Sequence, residues 1–563
     1  MEPYASRIKD VLERRARAGR FAPGVAAYSD SDMFKKPPTS DMPMAKRWDN
    51  HFSEECKARR PCILKQAAKY LKTPGLISLG GGLPSANYFP FDSLTVTVPP
   101  RPDFNLPHAS AQDSPAPPSS LSINKDDIPT NKGDYDLSVA LNYGQVAGSA
   151  QMLRFVTELT EILYAPPYAD WWCTQTTGST GALETVARMF CDKARGDNIL
   201  MEEYTFSTAQ ETMEALKIGV AGVKMDGEGI VPGELRRLLE EWDEAAKGRK
   251  PHVLYTVPTG QNPTGASLSK GRRREIYEIC EDHDIFIVED DPYYLLQMAD
   301  YTPGSHNERS TGSRLESYMA SLPGTFLSID TSGRVLRLDS FSKILSPGSR
   351  MGWVTGSAQV VERFLRHCES SQGPSGFSQA ALYTLLEGAW GGHQGFLEWV
   401  AALGTEYEVR RNVLLKACED FLPGVAKWTI PKAGMFLWIK LDHTKHPRHA
   451  AGVPALEEEI FQSCISKGVL VARGSWFRAT GSGSHSGSSG VNESNGLDID
   501  GAGSKAVNGC DPKTVVNGYQ HGEEDKPSEL FFRTTFATAT VEGMREAMKR
   551  FGEAIRESFE IDE

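Results

Sequence analysis

Between residues 253 and 340 the chain alternates short apolar runs with a stretch of helical spacing. The runs VLYTV (253–257) and IFIVED (285–290) are rich in β-branched and aromatic residues, which is typical of strands. Between them, LSKGRRREIYEICEDHD (268–284) repeats apolar residues at helical intervals, and a further strand-like run, RVLRLDS (334–340), follows. A strand–helix–strand order predicts parallel strands joined by a right-handed crossover. We therefore expect an α/β fold with a mostly parallel central sheet flanked by helices.

The carboxyl ends of these predicted strands are where a ligand is expected, because open parallel sheets bind ligands beyond those ends. Three segments follow such ends, at residues 261–265, 290–294 and 340–350. Candidate functional residues should therefore lie in these segments.

The third segment lies within LDSFSKILSPGSRMG (338–352), where Lys343 follows a strand and is flanked by Ser340 and Ser342. A lysine at the mouth of a sheet is partly desolvated, which lowers its pKa and favours the neutral amine that attacks an aldehyde. The serines, with Arg350 seven residues on, could donate to a phosphate. The alternative is an ordinary solvated lysine, and the neighbouring serines and arginine disfavour it.

The second segment, EDDPYYLL (289–296), places carboxylates at the end of an apolar strand. A buried carboxylate needs a partner, because burying an unpaired charge is costly. Asp291 could face a protonated pyridine nitrogen, and Tyr294 could donate to a phenolate oxygen. The alternative is an aspartate that only caps the next turn.

Two loops complete the candidate site. In TVPTGQNPTGASLS (256–269), a turn after a strand leaves Asn262 able to hydrogen-bond a ligand. In TTGSTGALETVARMF (176–190), a loop opens a helix, so the amides of Gly178, Ser179 and Thr180 could hold a phosphate. The same loop could equally be a simple helix N-cap.

Taken together, these segments resemble the fold-type-I, pyridoxal 5′-phosphate (PLP)-dependent aminotransferases of class I/II. The likeness is greatest to a fungal-like subgroup of aromatic amino-acid, 2-aminoadipate and kynurenine aminotransferases. The matching stretches occur in family order: ISLGGGLPSANYFPF (77–91), LNYGQVAGSAQMLRF (141–155), 176–190, YTVPTGQNPTG (255–265), EDDPYYLLQ (289–297), DSFSKILSPGSRMGW (339–353), AGMFLWIKL (433–441) and FFRTTFATAT (531–540).

The resemblance implies how the cofactor is held. Lys343 would form the Schiff base, Asp291 would pair with the pyridine nitrogen, and Tyr294 and Asn262 would contact the phenolic oxygen. Phe206 would stack on the ring, at a position where family members often have tyrosine. The residues that would bind the phosphate are Ser179, Thr180, Ser340, Ser342 and Arg350. The catalytic group is then Lys343, Asp291 and Tyr294.

The resemblance also implies contacts beyond the cofactor. Arg533 would bind the substrate α-carboxylate, with Asn262 beside it, and Gly82 would lie in a loop that approaches the substrate. Tyr143 would reach the phosphate in the neighbouring subunit, so a homodimer is expected.

The implied reaction moves the amino group of an aromatic amino acid, or of 2-aminoadipate or kynurenine, to 2-oxoglutarate by ping-pong chemistry. Because one fold hosts several reactions, two other functions stay open. One is a β-lyase or cyclopropane-carboxylate synthase on the same scaffold, and the other is a PLP-responsive transcription regulator. The regulator requires a basic winged helix-turn-helix, but residues 1–75 show no evident second recognition helix after RIKDVLERRARAGR.

The composition of the chain limits the classes of partner, the metal sites and the cell compartment that are expected. The 61 Lys and Arg against 73 Asp and Glu give a net charge of −12, which disfavours nucleic-acid and anionic-membrane binding. The nine cysteines are scattered without CxxC spacing, as a reducing compartment permits. No metal site is expected, because Pro447 breaks any helix that would align His443, His446 and His449. We expect a cytoplasmic enzyme of small-molecule amino acids and 2-oxo acids, with a mitochondrial location as the alternative.

Domain boundaries follow from shifts in composition. We predict an N-terminal segment at 1–75 that is partly disordered, and a first part of the small domain at 76–140 with a Pro/Ser-rich insertion. A large PLP-binding domain at 141–365 and a small α+β C-terminal domain at 366–563 complete the chain. The stretches 98–135 and 479–528 are too poor in apolar residues to offset chain entropy, so both are predicted to be mobile loops.

Overall fold

The computed structural model describes residues 4–19, 28–63, 70, 73, 75–77, 79–80, 82–101, 104–107, 117–302, 314–479 and 528–562. Nearly all of the predicted 479–528 insertion lies outside the described residues. The helices are α1 (Tyr4–Arg17), α2 (Glu54–Ala58), α3 (Leu137–Ala140), α4 (Ala150–Leu163), α5 (Ser179–Phe190), α6 (Ser207–Leu216), α7 (Pro232–Glu240), α8 (Glu244–Lys247), α9 (Lys270–Asp282), α10 (Arg314–Ser321), α11 (Ala358–Ser371), α12 (Gly376–Tyr383), α13 (His393–Phe421), α14 (Val453–Ser466) and α15 (Val541–Phe559).

The strands form two larger sheets and two short ribbons. They are β1 (Ser93–Val98), β2 (Ser119–Asn124), β3 (Trp171–Thr176), β4 (Asn198–Glu202), β5 (Gly219–Val223), β6 (Met225–Asp226), β7 (Gly229–Ile230), β8 (Val253–Thr256), β9 (Phe286–Asp290), β10 (Val335–Ser340), β11 (Gly352–Ser357), β12 (Ala426–Trp428), β13 (Phe436–Leu441), β14 (Ala472–Arg473) and β15 (Leu530–Thr535).

The central sheet has seven strands in the order β3-β11-β10-β9-β8-β4-β5. The neighbours β10, β9, β8, β4 and β5 run parallel, whereas β11 is antiparallel to both β10 and β3. The predicted strands at 253–257, 285–290 and 334–340 and the helix at 268–284 are confirmed. Every residue of β8, β9 and β10 is buried, as expected for strands covered on both faces. The α/β expectation is therefore correct.

A smaller antiparallel sheet, β12-β13-β15-β14, carries the C-terminal part of the chain. The long helix α13 precedes it and packs against α15. The α+β character predicted for this part agrees with the structure. The predicted division at residues 365/366 falls inside α11, which packs on β3 and β11 of the central sheet. That division remains a prediction.

The N-terminal helix α1 packs on α4 of the large sheet's helical layer. Arg15 donates to Glu158 at 2.5 Å and to Glu387 at 2.8 Å, and Arg7 donates to the Ile162 carbonyl at 2.8 Å. Residues 4–17 of the predicted N-terminal segment 1–75 thus form a helix that is docked on α4.

Part of the predicted loop at 98–135 is a strand. β2 pairs antiparallel with β1, from Ser93 opposite Asn124 to Val98 opposite Ser119. In SSLSIN the side chain of Ile123 is buried while its neighbours Ser122 and Asn124 are exposed. The expectation of a loop across this whole stretch was wrong, because its biased composition hid a short amphipathic strand.

Within the described ranges, the chain has no helix that combines the length and the apolar character needed to cross a membrane.

Candidate active site

Lys343 lies in the turn after β10, at the edge where the parallel strands end. Trp399 Nε1 donates to the Ile344 carbonyl at 2.6 Å and so fixes this turn against α13. The lysine side chain is half-buried. Burial lowers the pKa of Lys343, and the nearby guanidiniums of Arg350 and Arg533 lower it further. A lysine in such surroundings is more readily the neutral, nucleophilic amine.

An anion cradle lies beside this lysine. Ser340 Oγ donates to Ser342 Oγ at 2.9 Å, and Arg350 Nη1 also donates to Ser342 Oγ, at 3.4 Å. Arg350 Nη2 donates to the Thr177 carbonyl at 2.9 Å. Gly178 has φ +109°, and a Cβ there would lie only 2.7 Å from Arg350 Nη2. Any other residue at this position would be strained by the positive φ and would displace the guanidinium.

The start of α5 adds backbone donors to the cradle. Its first residue is Ser179, and the first amides of a helix have no partner within the helix. Ser179 Oγ is buried with no hydrogen-bond partner among the described residues, and Thr180 is exposed. The first amides of a helix, beside the linked hydroxyls of Ser340 and Ser342 and the Arg350 guanidinium, suit a phosphate. The five residues predicted to bind phosphate thus lie together.

The register of β9 and β10 decides which carboxylate faces the cradle. Asp290 pairs with Leu338 and Glu289 pairs with Arg337. Because side chains alternate between faces, Asp290 shares its face with Ser340, whereas Glu289 points to the opposite face. Asp291, one residue further, lies with Glu289.

Asp290 is buried on the cradle side of the sheet. Its Oδ2 accepts a hydrogen bond from the Tyr255 hydroxyl at 2.9 Å, while its Oδ1 has no partner among the described residues. Burial raises the pKa of Asp290 to about 6; the hydrogen bond from Tyr255 opposes that rise, as does the nearby Ser179 hydroxyl, although Ser179 Oγ forms no hydrogen bond with the carboxylate. A buried carboxylate oxygen without a donor can accept a hydrogen bond from the N–H of a ligand.

The predicted Asp291 lies on the other face. Its Oδ2 is 3.2 Å from Arg337 Nη1 and accepts from Thr259 Oγ1 at 3.0 Å. Burial raises the pKa of Asp291, and Arg337 and Arg273 beside it oppose that rise. Its Oδ1 also has no partner in the described part of the chain, but the group belongs to a buried ionic cluster rather than to the Lys343 side. The members of this ionic cluster are Arg273, Glu289, Asp291, Arg337 and Asp339.

The predicted Tyr294 accompanies Asp291. Its hydroxyl donates to the Pro323 carbonyl at 2.8 Å, and the Arg337 guanidinium carbon lies 4.8 Å from its ring centroid. The structure therefore does not bring Asp291 and Tyr294 to Lys343. In EDDPYY the same residue types stand at adjacent positions, so a shift of one residue exchanges one face of the sheet for the other.

Tyr293 is the tyrosine that faces the candidate site. Burial and Asp290 raise the pKa of its phenol, and Arg533 opposes that rise, so the phenol lies near both charges. Its ring meets Phe436 edge-on at 5.7 Å between centroids.

Arg533 and Asn262, both predicted, are in contact. Arg533 lies on β15 and donates through Nη1 to Asn262 Oδ1 at 2.7 Å. Its guanidinium carbon lies 4.6 Å from the Phe436 ring and 4.5 Å from the Phe477 ring. Burial lowers the pKa of Arg533, and Tyr293 opposes that change. A partly desolvated guanidinium packed against two rings is suited to bind a carboxylate.

Three predicted residues have no described contact with this group. Phe206 is half-buried just before α6, at the carboxyl end of β4 on the same sheet edge. Gly82 is exposed, and a Cβ there would meet no atom within 4 Å. Tyr143 is 66% exposed and borders a cavity of about 510 Å³ whose lining does not include Lys343.

Sequence reasoning missed Asp290, Tyr293, Tyr255 and the two phenylalanines beside Arg533. The alternation of a strand shows that Asp290 and Asp291 face opposite ways, but not which face carries the ligand. Tyr255 gave no signal, since a tyrosine within VLYTV is an ordinary strand residue.

Comparison with known proteins shows that the chain is similar to aminotransferases over most of its length. The profile of the aminotransferase class I and II family matches residues 170–488. Aminotransferase swnA of Metarhizium robertsii is 37% identical over 536 residues, or 92% of this chain and 93% of the relative. An aromatic amino acid aminotransferase of Schizosaccharomyces pombe is 36% identical over 91% of this chain and 98% of its own. The crystal structure of aminotransferase Aro8 from Candida albicans has a TM-score of 0.78 at 35% identity, covering 92% of this chain and 100% of that chain.

Proposed function

The chain belongs to the class I and II aminotransferase family, and we propose that it uses PLP to move the amino group of an aromatic amino acid to 2-oxoglutarate. The observation that carries the proposal is one juxtaposition: half-buried Lys343 lies near both Arg350, in the anion cradle, and Arg533. An amine close to two anion-binding guanidiniums suits an aldehyde that carries a phosphate and a substrate that carries a carboxylate.

The described residues suit the three polar groups of PLP, which are the phosphate, the ring nitrogen and the ring oxygen. Gly178 leaves room for Arg350 in a cradle of serines and helix amides that suits the phosphate. Asp290 Oδ1, buried and without a partner, would accept the N–H of the pyridine ring. Tyr293 and Asn262 would contact the ring oxygen, replacing the predicted pair of Tyr294 and Asn262. Phe206 would pack on the ring face.

When bound, PLP supplies an aldehyde that condenses with an amine and a ring that accepts electrons from the substrate Cα. Lys343 would hold the cofactor and, once displaced by the substrate amine, take the proton from Cα as general base. The lowered pKa of Lys343 favours the neutral form that both roles require. Arg533 would bind the α-carboxylate, with Asn262 and the two phenylalanine rings holding its guanidinium in place.

An aromatic donor is supported by the rings around Arg533. Phe477 packs with Tyr204 and Trp438 in a small buried aromatic cluster, and the Phe436 ring also lies against the guanidinium. Such rings favour contact with a flat apolar side chain. The S. pombe relative named as an aromatic amino acid aminotransferase points the same way. Kynurenine and 2-aminoadipate are the other donors considered.

A donor panel tests the function. Purified enzyme with PLP and 2-oxoglutarate should give the highest kcat/KM with phenylalanine, tyrosine or tryptophan, and glutamate should form in equal amount to the new 2-oxo acid. Preference for alanine or aspartate would overturn the donor class. Release of ammonia without glutamate would instead support the β-lyase alternative, which nothing in the described site favours.

We also propose a homodimer in the cytosol. Tyr143 and Thr180 are both exposed, as expected if Tyr143 reaches the phosphate of the partner copy. Ile77 and Leu79 are 87% and 94% exposed, and large exposed apolar side chains often mark contacts between copies. A monomer by light scattering of the PLP-loaded enzyme would contradict the dimer. Fractionation that placed the protein in mitochondria would contradict the cytosol.

A further inference from the structure

Tyr255 is a fully buried strand residue whose hydroxyl reaches the active-site carboxylate. It lies on β8 opposite Val288 of β9, so its side chain shares the face that carries Asp290. Its hydroxyl donates to Asp290 Oδ2 at 2.9 Å. Burial, Asp290 and Glu202 all hold the pKa of Tyr255 well above its usual value, so the phenol stays protonated and remains a donor.

This hydrogen bond distinguishes the two carboxylate oxygens. Oδ2 is occupied by Tyr255, whereas Oδ1 has no partner among the described residues. A carboxylate anchored at one oxygen can no longer rotate freely, so the direction of the other oxygen is set by the sheet. Both residues are on neighbouring strands of a buried sheet, which makes that direction rigid.

We infer that Tyr255 is a positioning residue, which holds Asp290 so that Oδ1 is presented to the protonated ring nitrogen of PLP. The inference rests on the proposed function, because it requires the cofactor ring to lie against Asp290. Tyr255 touches neither cofactor nor substrate and acts only through the carboxylate. A side chain that does not touch the ligand but orients a ligand-binding group is often nearly as important as that group itself.

The test uses Tyr255→Phe in the full chain, which removes the hydroxyl and keeps the ring. Tyr277→Phe is a matched control, because Tyr277, on α9, donates its hydroxyl to the buried Asp330 Oδ1 at 3.0 Å. Losing a hydrogen bond to a charged group should weaken PLP binding by about tenfold to a hundredfold at position 255. The control should change PLP binding by less than about twofold, although both variants lower the melting temperature of the apoenzyme.

A spectroscopic readout separates positioning from stability. In enzyme loaded with PLP carrying ¹⁵N in its ring, the resonance should move toward that of the unprotonated nitrogen in Tyr255→Phe and stay unchanged in Tyr277→Phe. In an Asp290→Asn background, Tyr255→Phe should have no further effect on the resonance. Wild-type affinity and resonance in Tyr255→Phe would overturn the inference.

The Asp290→Asn variant distinguishes failure of the proposed function from failure of the role of Tyr255. If wild-type enzyme fails to bind PLP, the proposed function fails; if Asp290→Asn weakens PLP binding but Tyr255→Phe does not, only the role of Tyr255 fails. If Tyr255→Phe does not fold, 3-fluorotyrosine at position 255 retains a more acidic hydroxyl. It should shift the ring-nitrogen resonance, whereas the same replacement at 277 should not; equal behaviour at both positions would overturn the inference.

Discussion

Asp290 and Asp291 are consecutive buried carboxylates at the end of one strand, yet the charges around them differ. Asp290 accepts one hydrogen bond from a phenol and keeps a buried oxygen for a ligand. Asp291 lies 3.2 Å from Arg337 within the ionic cluster on the opposite face. Burial alone therefore does not identify a functional carboxylate. The partner does: a guanidinium already neutralises Asp291, while nothing charged is within bonding distance of Asp290 among the described residues.

The largest expected effect comes from exchanging each aspartate for asparagine. Asp290→Asn should lower kcat/KM by roughly a hundredfold to a thousandfold, because the ring nitrogen loses its anionic partner. Asp291→Asn should stay within about tenfold of wild type, since Glu289 and Asp339 still balance Arg273 and Arg337 in the ionic cluster. Steady-state kinetics at saturating PLP measure both. Severe loss in Asp291→Asn with near-normal Asp290→Asn would reverse the comparison.

The next effect concerns the ionic cluster itself. Arg337→Met would leave three buried carboxylates with Arg273 as their remaining cation, and should lower the free energy of unfolding by about 3–5 kcal/mol. The control is Arg236→Met, which breaks an exposed pair with Asp282 and should cost less than about 1 kcal/mol. Urea denaturation of the apoenzymes gives both values. Similar losses in the two variants would show that the ionic cluster contributes little to the fold.

A smaller effect concerns the pKa of Lys343, on the face of the sheet that carries the candidate active site. The positive charge of Arg533 disfavours the Lys343 ammonium and lowers its pKa, so Arg533→Met should raise that pKa. The rate at which apoenzyme captures PLP, which needs the neutral amine, should then rise with pH along a profile displaced to higher pH. Arg545→Met, on an exposed pair with Asp420, is the control and should leave the profile in place. An unchanged or downward-displaced profile in Arg533→Met would contradict the geometry.

Sequence patterns predicted those features that depend on local periodicity and failed where a choice depends on long-range packing. The buried runs of β8, β9 and β10 and the helix between them followed from apolar spacing, and Lys343, Arg350 and Ser340 followed from their place after a strand. The choice between Asp290 and Asp291 required knowing which face of the sheet holds the ionic cluster. Arg533 meets Asn262 across 271 residues of chain, a pairing that the family resemblance suggested and local chemistry could not.

Two other features depend on interactions that the local sequence does not contain. The strand β2 lay hidden in a Pro- and Ser-rich stretch, because its stability comes from pairing with β1 and not from its own composition. The predicted roles of Tyr143 and Gly82 depend on a second copy or a bound substrate, so a single folded chain leaves both residues exposed.

The central claim is that Lys343 is the amine that binds PLP, and borohydride reduction of the PLP-loaded enzyme tests it directly. Reduction fixes the cofactor to its lysine, and peptide mass spectrometry then locates it. The account predicts one phosphopyridoxyl group, on the peptide that contains Lys343, and none in Lys343→Ala. A label on a different lysine, or unaltered labelling in Lys343→Ala, would contradict it.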